Sequence, residues 1–281
     1  MLAIIGGTGF YQIKGLEIKA EQTVDTPFGN PSAPIIRAVL NGRDLLFIPR
    51  HGCNHEFLPH EINYRANIFG LKKLGCTRVI SVSATGSLQE NIHPGDLVLP
   101  GQYFDWTRGR RQSSFFGDGL AAHISTAEPV CGSLTRWIAD HAANMDLPLH
   151  TGNTYACVEG PRLGTKAESH FLRLAGCDLV GMTNIPEAFL AREAQICYAA
   201  ICIITDYDCW MDDPSHHASL ASVLERYGES IQKVQDLLRV LMGSPLPGTD
   251  SGCRSSLKDA VITQKDTIPE SKKNMLKILQ E

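Results

Sequence analysis

A chain of 281 residues with 43% hydrophobic content can bury a large core, as one big domain or two small ones. Its formal net charge of −4, with no block of basic residues, argues against nucleic acid or an anionic membrane as its main partner and leaves room for a pocket around a small anion. The opening Met1-Leu2-Ala3-Ile4-Ile5-Gly6-Gly7 lacks the charged start and long apolar run of a signal peptide, and no later run reaches transmembrane length, so a soluble, cytoplasmic protein is expected. Nine scattered cysteines, an odd count without a C-x-x-C pair, read as reduced core thiols rather than a disulfide frame or zinc site.

Short apolar strands alternating with helices predict an α/β domain. The first strand, Leu2–Ile5, runs into Gly6-Gly7-Thr8-Gly9, where glycines let backbone approach a ligand and Thr8 offers a hydroxyl. This turn matches neither the dinucleotide fingerprint nor the Walker pattern, and a plain tight turn is the alternative. Strands over Ile35–Val39 and Asp44–Ile48 follow, the second ending on Pro49-Arg50-His51-Gly52-Cys53-Asn54-His55. Arg50 can clasp an oxyanion with two parallel hydrogen bonds, and His51 or His55 can add another. The spacing of His51 and His55 suits metal ligands on a helix, which Gly52 and Pro59 oppose, so no metal is expected.

A helix over Asn63–Leu74 leads to a strand over Arg78–Ser83 and the hydroxyl-rich run Ser81-Val82-Ser83-Ala84-Thr85-Gly86-Ser87, suited to phosphate oxygens or to satisfying its own turn. After a strand at Asp96–Pro100, the cluster Arg108, Arg110 and Arg111 reads as a solvated loop face. Helices over Ser133–Met145 and Gly164–Ala175 precede a strand at Leu179–Met182, then Thr183, and a helix over Pro186–Ala194 with proline at its favoured first position. The strand Tyr198–Thr205 ends on Asp206 and Asp208, which share a face if strand geometry persists; otherwise one caps the following segment. Ala218–Leu241 carries the strongest helical periodicity. Gly243-Ser244-Pro245-Leu246-Pro247-Gly248 then opens a polar, weakly structured tail with a short helix after Pro269, dividing the chain into a domain at 1–242 and a tail at 243–281. Thr8, Arg50, His51, Ser83 and Thr183 at strand ends would line an anion pocket.

The motifs Gly6-Gly7-Thr8-Gly9, Asp25-Thr26-Pro27-Phe28-Gly29, Pro49-Arg50-His51-Gly52, Asn63-Tyr64-Arg65-Ala66-Asn67, Glu159-Gly160-Pro161-Arg162, Met182-Thr183 with Pro186-Glu187, and Thr205-Asp206-Tyr207-Asp208-Cys209-Trp210 resemble the trimeric purine nucleoside phosphorylase superfamily, most closely its 5′-methylthioadenosine phosphorylase branch. The resemblance implies a single-domain, three-layer fold with a mixed sheet flanked by helices. It also implies a pentosyltransferase that phosphorolyses a purine nucleoside for purine and methionine salvage, with phosphate as co-substrate and no cofactor. By the same resemblance phosphate meets Thr8, Arg50, His51, Ser83, Ala84 and Thr183, while Met182 meets the ribose and Asp206 and Asp208 act on the purine edge. Leu163 lies beside the base, His55, Leu220, Val223 and Leu224 line the 5′ end, and His123 arrives from a neighbour in a homotrimer. Ser83 stands where the family usually has Thr and keeps the hydroxyl, while departures around the base pocket at Leu163, Gly164 and Asn184 keep a 6-oxopurine phosphorylase, acting on methylthioinosine, inosine or guanosine, as the alternative. A nucleoside-binding protein that has lost turnover stands further off, because Thr8, Arg50, His51 and Asp206 are retained together, and so does a hydrolase, because water needs no Arg50-centred anion pocket.

Overall fold

The apolar runs Leu2–Gly6 and Cys197–Asp206 form strands buried on both faces, and their side chains divide between two cores with a period of two. Ala3 and Ile5 share one core with Tyr198, Ala200, Cys202 and Ile204. Leu2 and Ile4 share the other with Cys197, Ala199, Ile201 and Ile203. The computed structural model describes residues 1–7, 13–213, 219–249 and 251–281. Among the described residues the strands are β1 (Leu2–Gly6), β2 (Glu17–Gln22), β3 (Ile35–Leu40), β4 (Arg43–Pro49), β5 (Arg78–Ser87), β6 (Leu97–Leu99), β7 (Gln102–Trp106), β8 (Leu149–Thr151), β9 (Thr154–Val158), β10 (Leu179–Gly181) and β11 (Cys197–Asp206). The helices are α1 (Tyr64–Lys73), α2 (Gly132–Ala143), α3 (Lys166–Leu174), α4 (Asn184–Glu193), α5 (Leu220–Gly243), α6 (Ser251–Arg254) and α7 (Glu270–Gln280).

All the strands join one mixed sheet, and β4, β1, β5 and β11 run parallel side by side, so their C-terminal ends meet at one edge. β5 is the hub. Arg78–Ser81 pair with β1, Arg78–Thr85 with β11, and Gly86 and Ser87 pair antiparallel with β10. Helices α1, α4 and α7 cover one face and α2 and α5 the other, giving the expected three-layer α/β domain. Local chemistry starts these helices: the Asn63 side chain accepts the Ala66 N–H before α1, and Thr165 with Glu168 forms a capping box before α3.

Four strands escaped the sequence reading. β2 is a charged, almost wholly exposed edge, the form in which sheets avoid pairing with other chains, so it shows no apolar run. β7, β8 and β9 are short and only partly apolar. The segment after Gly243 differs from the expected weakly structured tail. The helix after Pro269 is present as α7, and Leu257, Ala260, Ile268, Met275 and Leu279 are buried in the same core as α1 and α4. Gln195 holds it by donating from Nε2 to Gln280 O at 3.1 Å, while Arg254 Nη1 donates to Gln195 O at 2.8 Å. No helix among the described residues is long and apolar enough to cross a membrane.

Candidate active site

Arg50 follows directly on β4, and its N–H donates to Gly6 O at 2.9 Å, which sets it beside the glycine turn. Thr8 of that turn lies outside the described residues. Arg50 is only 2% exposed, and its fork, expected for an oxyanion ligand, is occupied by Glu187 through Nε–Oε2 at 2.8 Å and Nη2–Oε1 at 3.2 Å. Nη2 also donates to Ser81 Oγ at 2.6 Å and Nη1 to Val82 O at 3.0 Å. The physical reason is depth: a guanidinium buried this far requires a carboxylate partner. Burial opposes its charge, but Glu187 more than offsets that and keeps it protonated. Among the described residues, one Nη1 hydrogen and the positive field remain for a ligand.

His51 presents an unusual face to an anion. Its Nδ1 lies 2.8 Å from Phe57 O, and because a carbonyl can only accept, Nδ1 carries the hydrogen and Nε2 keeps a lone pair. Burial, then the Arg50 charge, push its pKa down to about 4, so the ring is neutral at pH 7. Such a ring accepts from a protonated phosphate oxygen. Ring NMR, assigned against His51→Asn, should find His51 titrating near 4; a midpoint near 6.5 would refute the neutral assignment. His55 stacks on His51 with ring centroids 4.3 Å apart.

The first turn of α4 gathers the rest of this end. Ser83 Oγ donates to Asn184 Oδ1 at 3.3 Å, Glu187 holds Arg50, and Thr183 at the N-cap position leaves its hydroxyl unused for capping. Ala84 follows Ser83 on β5. Asn184 is fully buried beside the Ser83 hydroxyl, with Nδ2 toward Tyr103 OH at 3.4 Å.

Strand alternation does not carry Asp206 and Asp208 to one face. The β11–β5 register shifts between Ile204 and Asp206, and Asp208 has a positive φ of 54°. Asp206 Oδ1 instead accepts the Asp208 N–H at 2.7 Å, while Oδ2 accepts from Thr205 Oγ1 at 2.7 Å. A capping contact thus brings the two acids together. Burial raises both carboxyl pKa values, and the Asp206 charge raises that of Asp208 further. They close around Gly86, where a Cβ would sit 2.9 Å from Asp206 Oδ1 and 3.3 Å from Asp208 Cβ. Gly86→Ala should therefore cost about 1–3 kcal/mol in a denaturant melt and lower turnover, because it displaces both acids; unchanged turnover would mean the pair is not the working element.

Asp208 lines a cleft of about 170 Å³ with Trp106, Arg108, Val158, Gly160 and Val180. Its carboxylate lies 3.4 Å from where a Gly164 side chain would begin. Leu163 is half-exposed between the cleft residues Arg162 and Gly164. Met182 covers Gly160 so closely that no Cβ fits there. Arg111, expected in a solvated loop, is buried: it pairs with Glu159 at 3.1 Å and donates from Nη1 to Met182 O at 2.7 Å and Ile185 O at 2.6 Å. It fixes the Met182–Thr183 turn from behind.

The α5 face carrying Leu220, Val223 and Leu224 continues to Tyr227, whose OH would lie 3.5 Å from a Cβ on Gly7. Through Tyr227 that face reaches Gly7, with Leu220 71% and Leu224 62% exposed. His123 is exposed on a loop, its N–H donating to Ala260 O at 2.9 Å beside the C-terminal segment. Glu187, Arg111, Glu159 and Trp106 were not singled out as site residues from residue chemistry. Glu187 left one signal: a lone acid in the first turn of an apolar helix needs a buried cation, and Arg50 supplies it.

The family model described as "Phosphorylase superfamily" matches residues 1–241. The S-methyl-5′-thioadenosine phosphorylase of Geobacter sulfurreducens is 43% identical over 280 residues, covering 99% of this chain and 97% of its own. That of Nitrosopumilus maritimus is 43% identical, covering 92% and 97%. A crystal structure of methylthioadenosine phosphorylase from an antarctic soil metagenomic library superposes with a TM-score of 0.91 at 39% identity over 99% of this chain and 98% of that one. Methylthioadenosine phosphorylase from Schistosoma mansoni in complex with adenine gives a TM-score of 0.83 at 33% identity over 92% and 99%. The chain belongs to the phosphorylase superfamily, sharing nearly its whole length with the S-methyl-5′-thioadenosine phosphorylases.

Proposed function

We propose that this chain is a pentosyltransferase that converts S-methyl-5′-thioadenosine and phosphate into adenine and 5-methylthioribose 1-phosphate, in purine and methionine salvage. The observation carrying this reading is the placement of two acids, the partly buried Asp206 and the buried Asp208, at the same sheet edge as Arg50, His51 and Ser83. Phosphate is held by the remaining Arg50 donor, the Ser83 and Thr183 hydroxyls, the Ala84 backbone and Thr8, while its own O–H donates to His51 Nε2. A phosphate oxygen forms a bond to the anomeric carbon as the bond from that carbon to N9 breaks. The electron pair enters the purine, and N7 takes the proton of Asp206. Asp208 accepts from the 6-amino group, so adenine leaves neutral. The ribose lies against Met182, and no metal or organic cofactor takes part.

The 5′ methylthio group sits by His55, Leu220, Val223 and Leu224. Two exposed leucines on one helix face call for a cover, which supports a homotrimer whose neighbour adds His123 there. Initial rates on methylthioadenosine, adenosine, methylthioinosine and inosine, each with and without phosphate, test the reading. Phosphate-dependent adenine release with little oxopurine turnover is expected; oxopurine preference, or equal rates without phosphate, would overturn it.

A further inference from the structure

Away from the residues assigned to the reaction, Cys131, Cys197 and Cys253 converge from three separated parts of the chain. Cys131 is the N-cap of α2, Cys197 opens β11, and Cys253 lies in α6 of the C-terminal segment. All three are buried, and their sulfurs lie within 4.8 Å of one another. We propose that this triad binds one thiophilic d10 metal ion of the Zn²⁺ class, clasping the C-terminal segment to the core.

Distance permits it. Zn–S bonds of about 2.3 Å place sulfurs on a shared ion roughly 4 Å apart, so seating the ion needs only small side-chain shifts. Charge favours it as well. Three thiolates around a divalent ion carry one net negative charge, and Arg192 Nη1 already donates to Cys253 Sγ at 3.5 Å while its buried Nε has no partner among the described residues. The N-terminus of α2 adds its positive end at Cys131, whose side chain makes no capping bond. Ser133 Oγ lies 3.2 Å from Cys131 Sγ and offers an oxygen close to the cluster. Loading releases the thiol protons to solvent, so affinity rises with pH. The ion is structural and takes no part in phosphorolysis.

The test titrates the reduced, metal-stripped full chain with Cd²⁺ and then Zn²⁺. One equivalent of Cd²⁺ per chain should produce an ultraviolet thiolate-to-metal charge-transfer band that Zn²⁺ abolishes. At about 100-fold excess over Kd, Zn²⁺ should raise Tm by roughly 5 °C or more. Cys253→Ser and Cys131→Ser should each weaken Cd²⁺ binding about 100-fold or more while phosphate-dependent turnover, the check on folding, persists. No band in the reduced chain, or an undiminished band in both variants, overturns the proposal. So does air-oxidised protein that has lost two of these thiols to a disulfide while the reduced form takes up no metal.

Discussion

Asp206→Asn is expected to lower kcat/KM for methylthioadenosine by about 10²–10⁴, the range of a lost general acid, with little change in Tm. The stability half follows from geometry. The amide oxygen of the variant can still accept the Asp208 N–H, and its nitrogen can donate to Thr205 Oγ1, whose own hydrogen has Thr85 O at 3.3 Å. What disappears is a partly buried carboxyl whose pKa is raised by desolvation, the group the proposed mechanism uses to deliver a proton to the departing purine. Asp208→Asn should behave differently. Asn tolerates the left-handed backbone at φ 54°, so folding persists, while its amide now donates toward the 6-position. The adenine-to-hypoxanthine rate ratio should fall by roughly 10- to 100-fold. If both variants lost the same activity with no change of base preference, the division of labour between the acids would be wrong.

Glu187→Ala should be the most destabilising single change near the site, costing about 3–5 kcal/mol because it strands the buried Arg50 guanidinium. Ser81 Oγ and Tyr198 OH, which donate to Glu187 Oε1 at 2.7 and 2.9 Å, lose their acceptor in the same step. A fall in Tm of roughly 10 °C is expected, together with a drop of about 100-fold in kcat/KM for phosphate as Arg50 leaves its position. The double change Arg50→Met with Glu187→Leu separates the two effects. It should recover much of the stability, since an apolar pair can replace a buried ion pair, and none of the phosphate dependence. Recovery of both would show that Arg50 only fills space.

Much of this architecture was legible because buried parallel strands are written as Ile- and Val-rich runs, and polar residues at their ends stand out against them. Pro49-Arg50-His51 and Thr205-Asp206 are of that kind. What stayed hidden depends on long-range partners. Arg111 sits in a loop beside two exposed arginines, and its acceptors are mainly backbone carbonyls, which leave no mark in sequence; its carboxylate, Glu159, lies on another segment. The proximity of Asp206 and Asp208 was anticipated for the wrong reason, since it comes from a bulge and a left-handed turn. The C-terminal segment looked polar because its buried residues are spread thinly between lysines and serines.

The place of β5 bears on how the molecule acquires activity. Its partners are remote along the chain: Arg78 pairs with Leu2 on one side and Cys197 on the other. Loop-closure entropy must be met twice before these contacts stabilise anything, which makes the sheet centre slow to assemble. Ser83 and Asp206 occupy adjacent strands of that centre, so a nascent chain lacking β11 lacks the carboxyl to which the proposed mechanism assigns the purine's proton. Recovery of turnover during refolding should accordingly trail the return of helical circular dichroism, and amides of β5 should be among the last to exchange with solvent.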